Sequence, residues 1–160
     1  MSGAVAGLIG SVKAAAASPT NLVLNPSFTT DLTGWNISGY IFRDTTVYNT
    51  APASLNVYFS EEYGVYAEYS RGNILTVGQR YSVSFWLRTT TSDSFVIVLS
   101  GGVSSEIAVT GSTSWQNIKF ENVLVNSVNL NLAIYSSLAL TPYFNIDDVS
   151  VVAGPTALVL

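Results

Sequence analysis

The chain has 160 residues, of which 48% are hydrophobic and 10% are charged, and its formal net charge is -4. It contains no histidine and no cysteine, which excludes a Ser-His-Asp triad, thiolate chemistry, disulfide bonds and the usual zinc sites. Its 6 Lys and Arg residues are too few for a basic patch, so nucleic acid is not an expected partner. No apolar run reaches the roughly 18 residues of a membrane span, so a membrane is not expected either.

The first segment, residues 1–19, is rich in Gly, Ala and Ser and predicts an extended N-terminal arm. Its only charged residue, Lys13, follows the apolar stretch, whereas a secretory signal carries its positive charge before that stretch. The position of Lys13 favours an arm, and a signal peptide stays open as the alternative. We therefore expect an arm whose apolar side chains contact a partner, because ordering the arm has an entropic cost that partner burial offsets. These assembly residues are Val5, Leu8, Ile9 and Val12.

From residue 20 to residue 152 apolar and polar residues alternate in short segments, which is typical of β-strands. The predicted strands are 22–25, 35–42, 53–59, 63–70, 80–88, 94–100, 103–110, 115–123, 128–135 and 144–152. About ten short strands separated by turns predict one all-β domain, an antiparallel β-sandwich or barrel without helices. A Gly-Pro break then leads into an apolar tail, residues 153–160.

The same alternation predicts which side chains enter the core. Odd-numbered residues of 80–88 and even-numbered residues of 128–135 face inward, and Val128 is the first of the second set. Trp35 and Trp115 flank strands, and we expect both to fill the core.

Several segments carry a family resemblance through their order and spacing. They are NLVLNPSF (21–28), Gly34-Trp35, ASLNVYF (53–59), YSVSFWLR (81–88), Trp115 with KFEN (119–122), and FNIDDVSVV (144–152). In this order they resemble carbohydrate-binding modules of families four, nine and twenty-two over roughly residues 21–152. The resemblance implies a jelly-roll sandwich.

The resemblance also implies a structural calcium ion. Members of these families often bind it with an acidic residue after the opening Phe and with an Asp of the closing strand. Here Thr29 follows Phe28, so the site would need Asp148 together with Asp31, since calcium takes several oxygen ligands. The alternative is that Asp148 hydrogen-bonds the neighbouring loop.

Outward-facing residues of the predicted strands mix aromatic rings, amides and a few charges. Sugars bind such surfaces because their C–H faces stack on aromatic rings while their hydroxyls pair with amide and guanidinium groups. The predicted glycan-binding residues are Tyr58, Tyr66, Trp86, Arg88, Asn131 and Tyr135. The alternative is that these side chains pack against another sheet or subunit. No carboxylate pair of the kind used in glycoside hydrolysis is evident, so an enzyme is not expected.

The two apolar ends suggest a role in an assembly. A small sandwich with an apolar arm resembles the decoration or cement proteins of tailed-bacteriophage heads. That resemblance implies a non-enzymatic virion protein on the capsid surface, with the arm clamping the major capsid protein or another virion protein and with self-association. Two alternatives stay open: a glycan-binding module, located on the particle or outside the cell, and a phage tail or fibre subunit.

Overall fold

The computed structural model describes residues 18–37, 40–58, 67–92, 94–101, 105–134 and 143–154. The described residues form ten β-strands and no helix. The strands are β1 (Trp35–Ile37), β2 (Tyr40–Asp44), β3 (Ser54–Tyr58), β4 (Ala67–Arg71), β5 (Arg80–Thr89), β6 (Ser94–Gly101), β7 (Ser105–Thr110), β8 (Gln116–Leu124), β9 (Leu130–Ile134) and β10 (Tyr143–Ala153). Within these ranges there is accordingly no helix long and apolar enough to cross a membrane.

The strands form two five-stranded antiparallel sheets. Sheet I has the strand order β1-β4-β9-β6-β7, and sheet II has the order β2-β3-β10-β5-β8. Buried side chains from both sheets form one hydrophobic cluster between them. The predicted all-β antiparallel sandwich is confirmed. Consecutive strands cross between the sheets as in a jelly roll, except at the hairpins β2–β3 and β6–β7, each of which stays within one sheet.

The core follows the alternation of the sequence. Every second residue of β5 is buried, as predicted. Trp35 is 7% exposed, and its ring lies 5.1 Å from that of Phe28 and 5.2 Å from that of Tyr69 between centroids. Trp115, by contrast, is only half-buried in the connection before β8, so the prediction that it fills the core is wrong.

The structure departs from the predicted strands at three places. Segment 22–25 is not a strand, although the Leu22 N–H donates to the Val151 carbonyl at 2.9 Å. Segment 35–42 is divided between β1 in sheet I and β2 in sheet II. Val128 is 40% exposed rather than buried, because its carbonyl accepts from the N–H groups of residues 74 and 75 and is held in the connection before β9.

The Asn21 side chain takes the place of a strand backbone along β10. Its Nδ2 donates to the Val149 carbonyl at 2.9 Å, and its Oδ1 accepts from the Val151 N–H at 2.9 Å. Together with the Leu22 bond, these contacts attach the segment before residue 26 to the second half of β10. That half follows a register shift between Asp147 and Ser150.

The predicted assembly residues lie outside the described residues, as do all of 1–17 and 155–160. These assembly residues are Val5, Leu8, Ile9 and Val12. The predicted arm (1–19), the boundaries of the sandwich (20–152) and the tail (153–160) therefore stay predictions.

Candidate functional site

The outer face of sheet II carries one row of side chains across four neighbouring strands. Its members stand opposite one another in the strand register. They are Phe42 on β2, Asn56 on β3, Asn145 on β10 and Arg88 on β5. Because Ile146 and Leu87 beside them are buried in the core, the alternation of a strand directs the row away from the core. We call these four residues the cross-strand row.

The row is exposed at its edge and buried at its centre. Phe42 is 49% exposed, whereas Asn56 and Asn145 are 7% and 3% exposed. Neighbouring strands lie about 4.8 Å apart, so the row spans about 14 Å. The two short amides therefore form the floor between the longer Phe42 and Arg88 side chains.

Other large side chains border this row. Trp86 is half-buried and lies on β5, two residues before Arg88 and hence on the same face. The Arg88 Nε donates to the Thr113 carbonyl at 2.8 Å, which fixes the position of the guanidinium group. On the other side of the row, Tyr143 is 43% exposed and stands opposite Tyr58 in the register.

A chain of hydrogen bonds runs through the buried floor. The Asn145 Nδ2 donates to Asp44 Oδ2 at 3.2 Å and to Ser54 Oγ at 2.9 Å. The Asn56 Nδ2 donates to Asn145 Oδ1 at 3.3 Å. We call Asp44, Asn145 and Asn56 the amide chain. It connects the buried last residue of β2 to the centre of the cross-strand row.

Asp44 anchors the amide chain as a carboxylate. Its Oδ1 accepts from the Thr46 N–H at 2.8 Å, the Thr46 hydroxyl at 2.7 Å and the Val47 N–H at 3.1 Å. Burial by itself raises the pKa of Asp44, but hydrogen bonds from Thr46, Val47 and Asn145 outweigh burial, and the pKa is lowered. Asp44 is therefore ionised at neutral pH and accepts hydrogen bonds only.

The pKa of Asp44 gives a pH-dependent stability prediction. A lowered folded-state pKa stabilises the fold above the usual pKa of 3.8, and that contribution is lost as the pH falls through the folded-state value. Asp44→Asn should therefore lower the free energy of unfolding at pH 7 by about 1–3 kcal/mol. Urea titrations measure the free energy of unfolding of both proteins. The difference between Asp44→Asn and wild type should be smaller at pH 3 than at pH 7. An unchanged difference at the two pH values would contradict the lowered pKa.

Two further carboxylates hold the loop between β2 and β3 against β10. Asp147 is fully buried. Its Oδ2 accepts from the N–H groups of Asn49 and Thr50 at 2.9 and 2.8 Å, and its Oδ1 accepts from the Asp148 N–H at 2.8 Å. Burial raises the pKa of Asp147, and the neighbouring Asp148 charge raises it further, against the opposing effect of these N–H donors.

Asp148 accepts from side chains instead. Its Oδ1 accepts from the Ser27 hydroxyl at 2.8 Å, and its Oδ2 accepts from Asn49 Nδ2 at 3.0 Å and the Thr50 hydroxyl at 2.6 Å. Its φ of 50° lies in the left-handed region, which Asp tolerates better than most residues. Asp148 thus hydrogen-bonds the neighbouring loops, which is the alternative that the sequence left open.

The predicted calcium ligands do not fit a metal site. Asp31 Oδ1 accepts from Asn25 Nδ2 at 3.3 Å and from the Thr33 N–H at 2.9 Å, and it shares no partner with Asp148. In the described ranges no three acidic side chains come together as metal ligands. The opening loop is held instead by Arg43, whose Nε and Nη2 donate to the carbonyls of residues 28 and 29 at 2.6 Å each.

Comparison by sequence found no matching family model and no matching curated protein. Comparison by structure found carbohydrate-binding modules. TmCBM61 in complex with β-1,4-galactotriose superposes with a TM-score of 0.65 at 19% identity, covering 84% of this chain and 99% of that chain. The CBM22-1 xylan-binding domain of Paenibacillus barcinonensis Xyn10C superposes with a TM-score of 0.63 at 16% identity, covering 89% of this chain and 100% of that chain.

A family 16 carbohydrate-binding module gives a TM-score of 0.61 at 15% identity, covering 82% of this chain and 99% of that chain. The chain has the jelly-roll fold of carbohydrate-binding modules. The resemblance that the sequence indicated is thus confirmed at the level of the fold. The similar structures give no support to the predicted role on a virion.

Within this jelly-roll fold, the predicted glycan-binding residues do not share one face. Trp86 and Arg88 lie together on the outer face of sheet II, and Tyr58 ends β3 in the same sheet. Asn131 lies on β9 of sheet I, so the expectation that it joins them in one groove is wrong. Tyr66 and Tyr135 lie outside the described residues.

Sequence reasoning missed most of the cross-strand row. The predicted glycan-binding residues included Arg88 but not Phe42, Asn56 or Asn145. A signal was present, because Asn145 alternates with core residues in FNIDDVSVV (144–152). That signal predicts an outward amide but not its neighbours on other strands.

Proposed function

We propose that the protein is a non-catalytic glycan-binding module that binds a polysaccharide on the outer face of sheet II. The observation that carries the proposal is the cross-strand row, with its buried amides bordered by exposed aromatic rings and a fixed guanidinium group. Phe42 and Tyr143 are 49% and 43% exposed, and Trp86 and Arg88 lie on the same face.

These groups suit a sugar for chemical reasons. Exposed aromatic rings offer planar apolar faces to the C–H groups of a pyranose. The Arg88 guanidinium has further N–H donors beyond the Nε that binds Thr113. The solved structures with a similar fold support the same class of ligand, since one is in complex with β-1,4-galactotriose and another is a xylan-binding domain.

The first test is affinity electrophoresis in gels that contain xylan, β-1,4-galactan or another soluble neutral polysaccharide. Wild type should be retarded by at least one of them. Trp86→Ala should weaken that binding at least about tenfold, or about 1.4 kcal/mol, because the aromatic surface beside the row is lost. Trp86→Phe should keep most of the affinity because it retains a ring.

Ser70→Arg is the matched control on the opposite face. Ser70 is exposed on β4 and stands opposite Asn131 in the register, so the larger side chain obstructs the outer face of sheet I. We expect this variant to bind like wild type. Loss of binding in Ser70→Arg but not in Trp86→Ala would move the site to sheet I. Absence of binding to every polysaccharide would overturn the proposed function.

The capsid-decoration role, the virion location and the tail or fibre alternative stay predictions. They depend on the apolar arm and tail, most of which lie outside the described residues. A glycan-binding face is compatible with display on a particle, but it does not require one.

A further inference from the structure

The floor of the cross-strand row contains an unpaired acceptor. In the part of the chain that the structure describes, Asn56 is 7% exposed, and its Oδ1 is buried without a hydrogen-bond partner. The Nδ2 of the same amide donates to Asn145. A buried polar atom without a partner is uncommon in folded proteins and calls for a physical explanation.

The direction of the amide chain explains why an acceptor, rather than a donor, is left over. The Ser54 hydroxyl donates its only hydrogen to the Val47 carbonyl, so its oxygen accepts from Asn145. Asp44 as a carboxylate also only accepts. Both partners therefore require the NH₂ group of Asn145, and the amide cannot be turned round.

This constraint passes to Asn56. Because the NH₂ group of Asn145 is directed at Asp44 and Ser54, its Oδ1 faces Asn56. The Nδ2 of Asn56 donates to this oxygen at 3.3 Å. The free end of the amide chain is therefore an oxygen. Only a group that carries an O–H or N–H can complete the chain.

We propose that Asn56 Oδ1 accepts a hydrogen bond from a sugar hydroxyl and that Asn56 thereby determines specificity for ligands with a donor at this point. The inference rests on the proposed function and narrows its ligands to glycans that present a hydroxyl donor at this point. An ether oxygen, a sulfate or a carboxylate offers only acceptors and leaves the buried oxygen unpaired. Because that oxygen is buried in the free protein, the atoms that cover it have to shift when the hydroxyl enters.

The test compares two ligands that differ in their donors. Xylohexaose and β-1,4-galactotriose are titrated calorimetrically against the wild-type chain, each beside its per-O-methylated form, which keeps the oxygens but has no O–H group. For the oligosaccharide that binds, we expect the parent to bind about 10- to 100-fold more tightly, as for a site that leaves a buried polar group unpaired.

A double-mutant cycle separates Asn56 from other hydroxyl contacts. Asn56→Leu keeps a similar volume without the acceptor, and it should reduce the preference for the parent ligand at least about fivefold. Asn36→Leu, an exposed position on β1 of sheet I, is the matched control and should keep the full preference. Circular dichroism and thermal unfolding show whether each variant is folded.

The outcomes separate this inference from the proposed function. If neither parent oligosaccharide nor any neutral polysaccharide binds wild type, the proposed function fails and the inference fails with it. If a parent binds but its methylated form binds wild type equally well, the glycan-binding function stands and the donor requirement is wrong. A folded Asn56→Leu variant with the full wild-type preference would also overturn the role of Asn56.

Discussion

Replacing Phe28 with Ala is expected to lower the free energy of unfolding by about 3–5 kcal/mol, which is typical of a large aromatic side chain removed from a core. Phe28 is fully buried, and its ring lies 5.1 Å from that of Trp35, which in turn lies 5.2 Å from that of Tyr69. The substitution removes one end of this series of rings and leaves a cavity beside β1. Urea denaturation followed by tryptophan fluorescence measures the loss.

The backbone at Phe28 makes a second comparison informative. Its φ of 49° lies in the left-handed region, which costs a residue with a Cβ about 1–2 kcal/mol and costs glycine little. Phe28→Gly should therefore be no less stable than Phe28→Ala.

Phe85 supplies the control for that comparison, since it is equally buried and is not among the residues with positive φ. There the glycine variant should be less stable than the alanine variant by about 0.5–1 kcal/mol. The same penalty for glycine at both positions would show that the backbone at Phe28 is unstrained.

Asp147→Asn is expected to lower the free energy of unfolding by about 2–4 kcal/mol, because one or two backbone N–H groups lose their acceptor at a fully buried side chain. Asp147 accepts from three backbone N–H groups, including those of Asn49 and Thr50, and a backbone donor cannot turn to accept from an amide. Asp148→Asn should cost less than about 1 kcal/mol, because the hydroxyls of Ser27 and Thr50 can rotate and accept instead. Equal losses in the two variants would contradict this distinction.

The same pair of variants tests the sign of the Asp147 pKa shift. A raised folded-state pKa means that the native chain binds the proton more tightly than the unfolded chain, so stability rises as the pH falls from the folded-state value towards 3.8. Asp147→Asn has no such proton to bind. Its deficit relative to wild type should therefore be larger near pH 4 than at pH 7, whereas the deficit of Asp44→Asn narrows at low pH. A deficit that shrinks near pH 4 would mean that the pKa is not raised.

The sequence predicted the strands well because alternation is a local property. The pattern of 80–88 requires only that one face of that strand be buried, and the structure buries those residues in β5. The division of 35–42 between two sheets was not predictable in the same way, since it depends on the pairing of Trp35 with Tyr69 and of Tyr40 with Tyr58. Such pairings join residues that are far apart in the chain.

The candidate site also depends on contacts between distant residues, which a local sequence pattern does not predict. Alternation indicated that Trp86 and Asn131 both point outward, but it does not distinguish the outside of one sheet from the outside of the other. The amide chain could not be predicted from the sequence for a related reason. Asn145 meets its acceptor Asp44 across a separation of 101 residues, so the fixed direction of its amide follows from the strand order and not from either segment alone.

The attachment of Asn21 to β10 has a consequence for how the molecule would be displayed on a larger object. The segment before residue 26 runs antiparallel to the second half of β10, and Gly154 follows the end of that strand, where its N–H donates to the Arg80 carbonyl at 2.8 Å. The described chain therefore enters and leaves at one pole. Asn145 lies near the start of β10, which at about 3.3 Å per residue is roughly 25–30 Å away. A linker joined next to Asn21 or Gly154 would therefore start at the end of β10 that lies away from the cross-strand row.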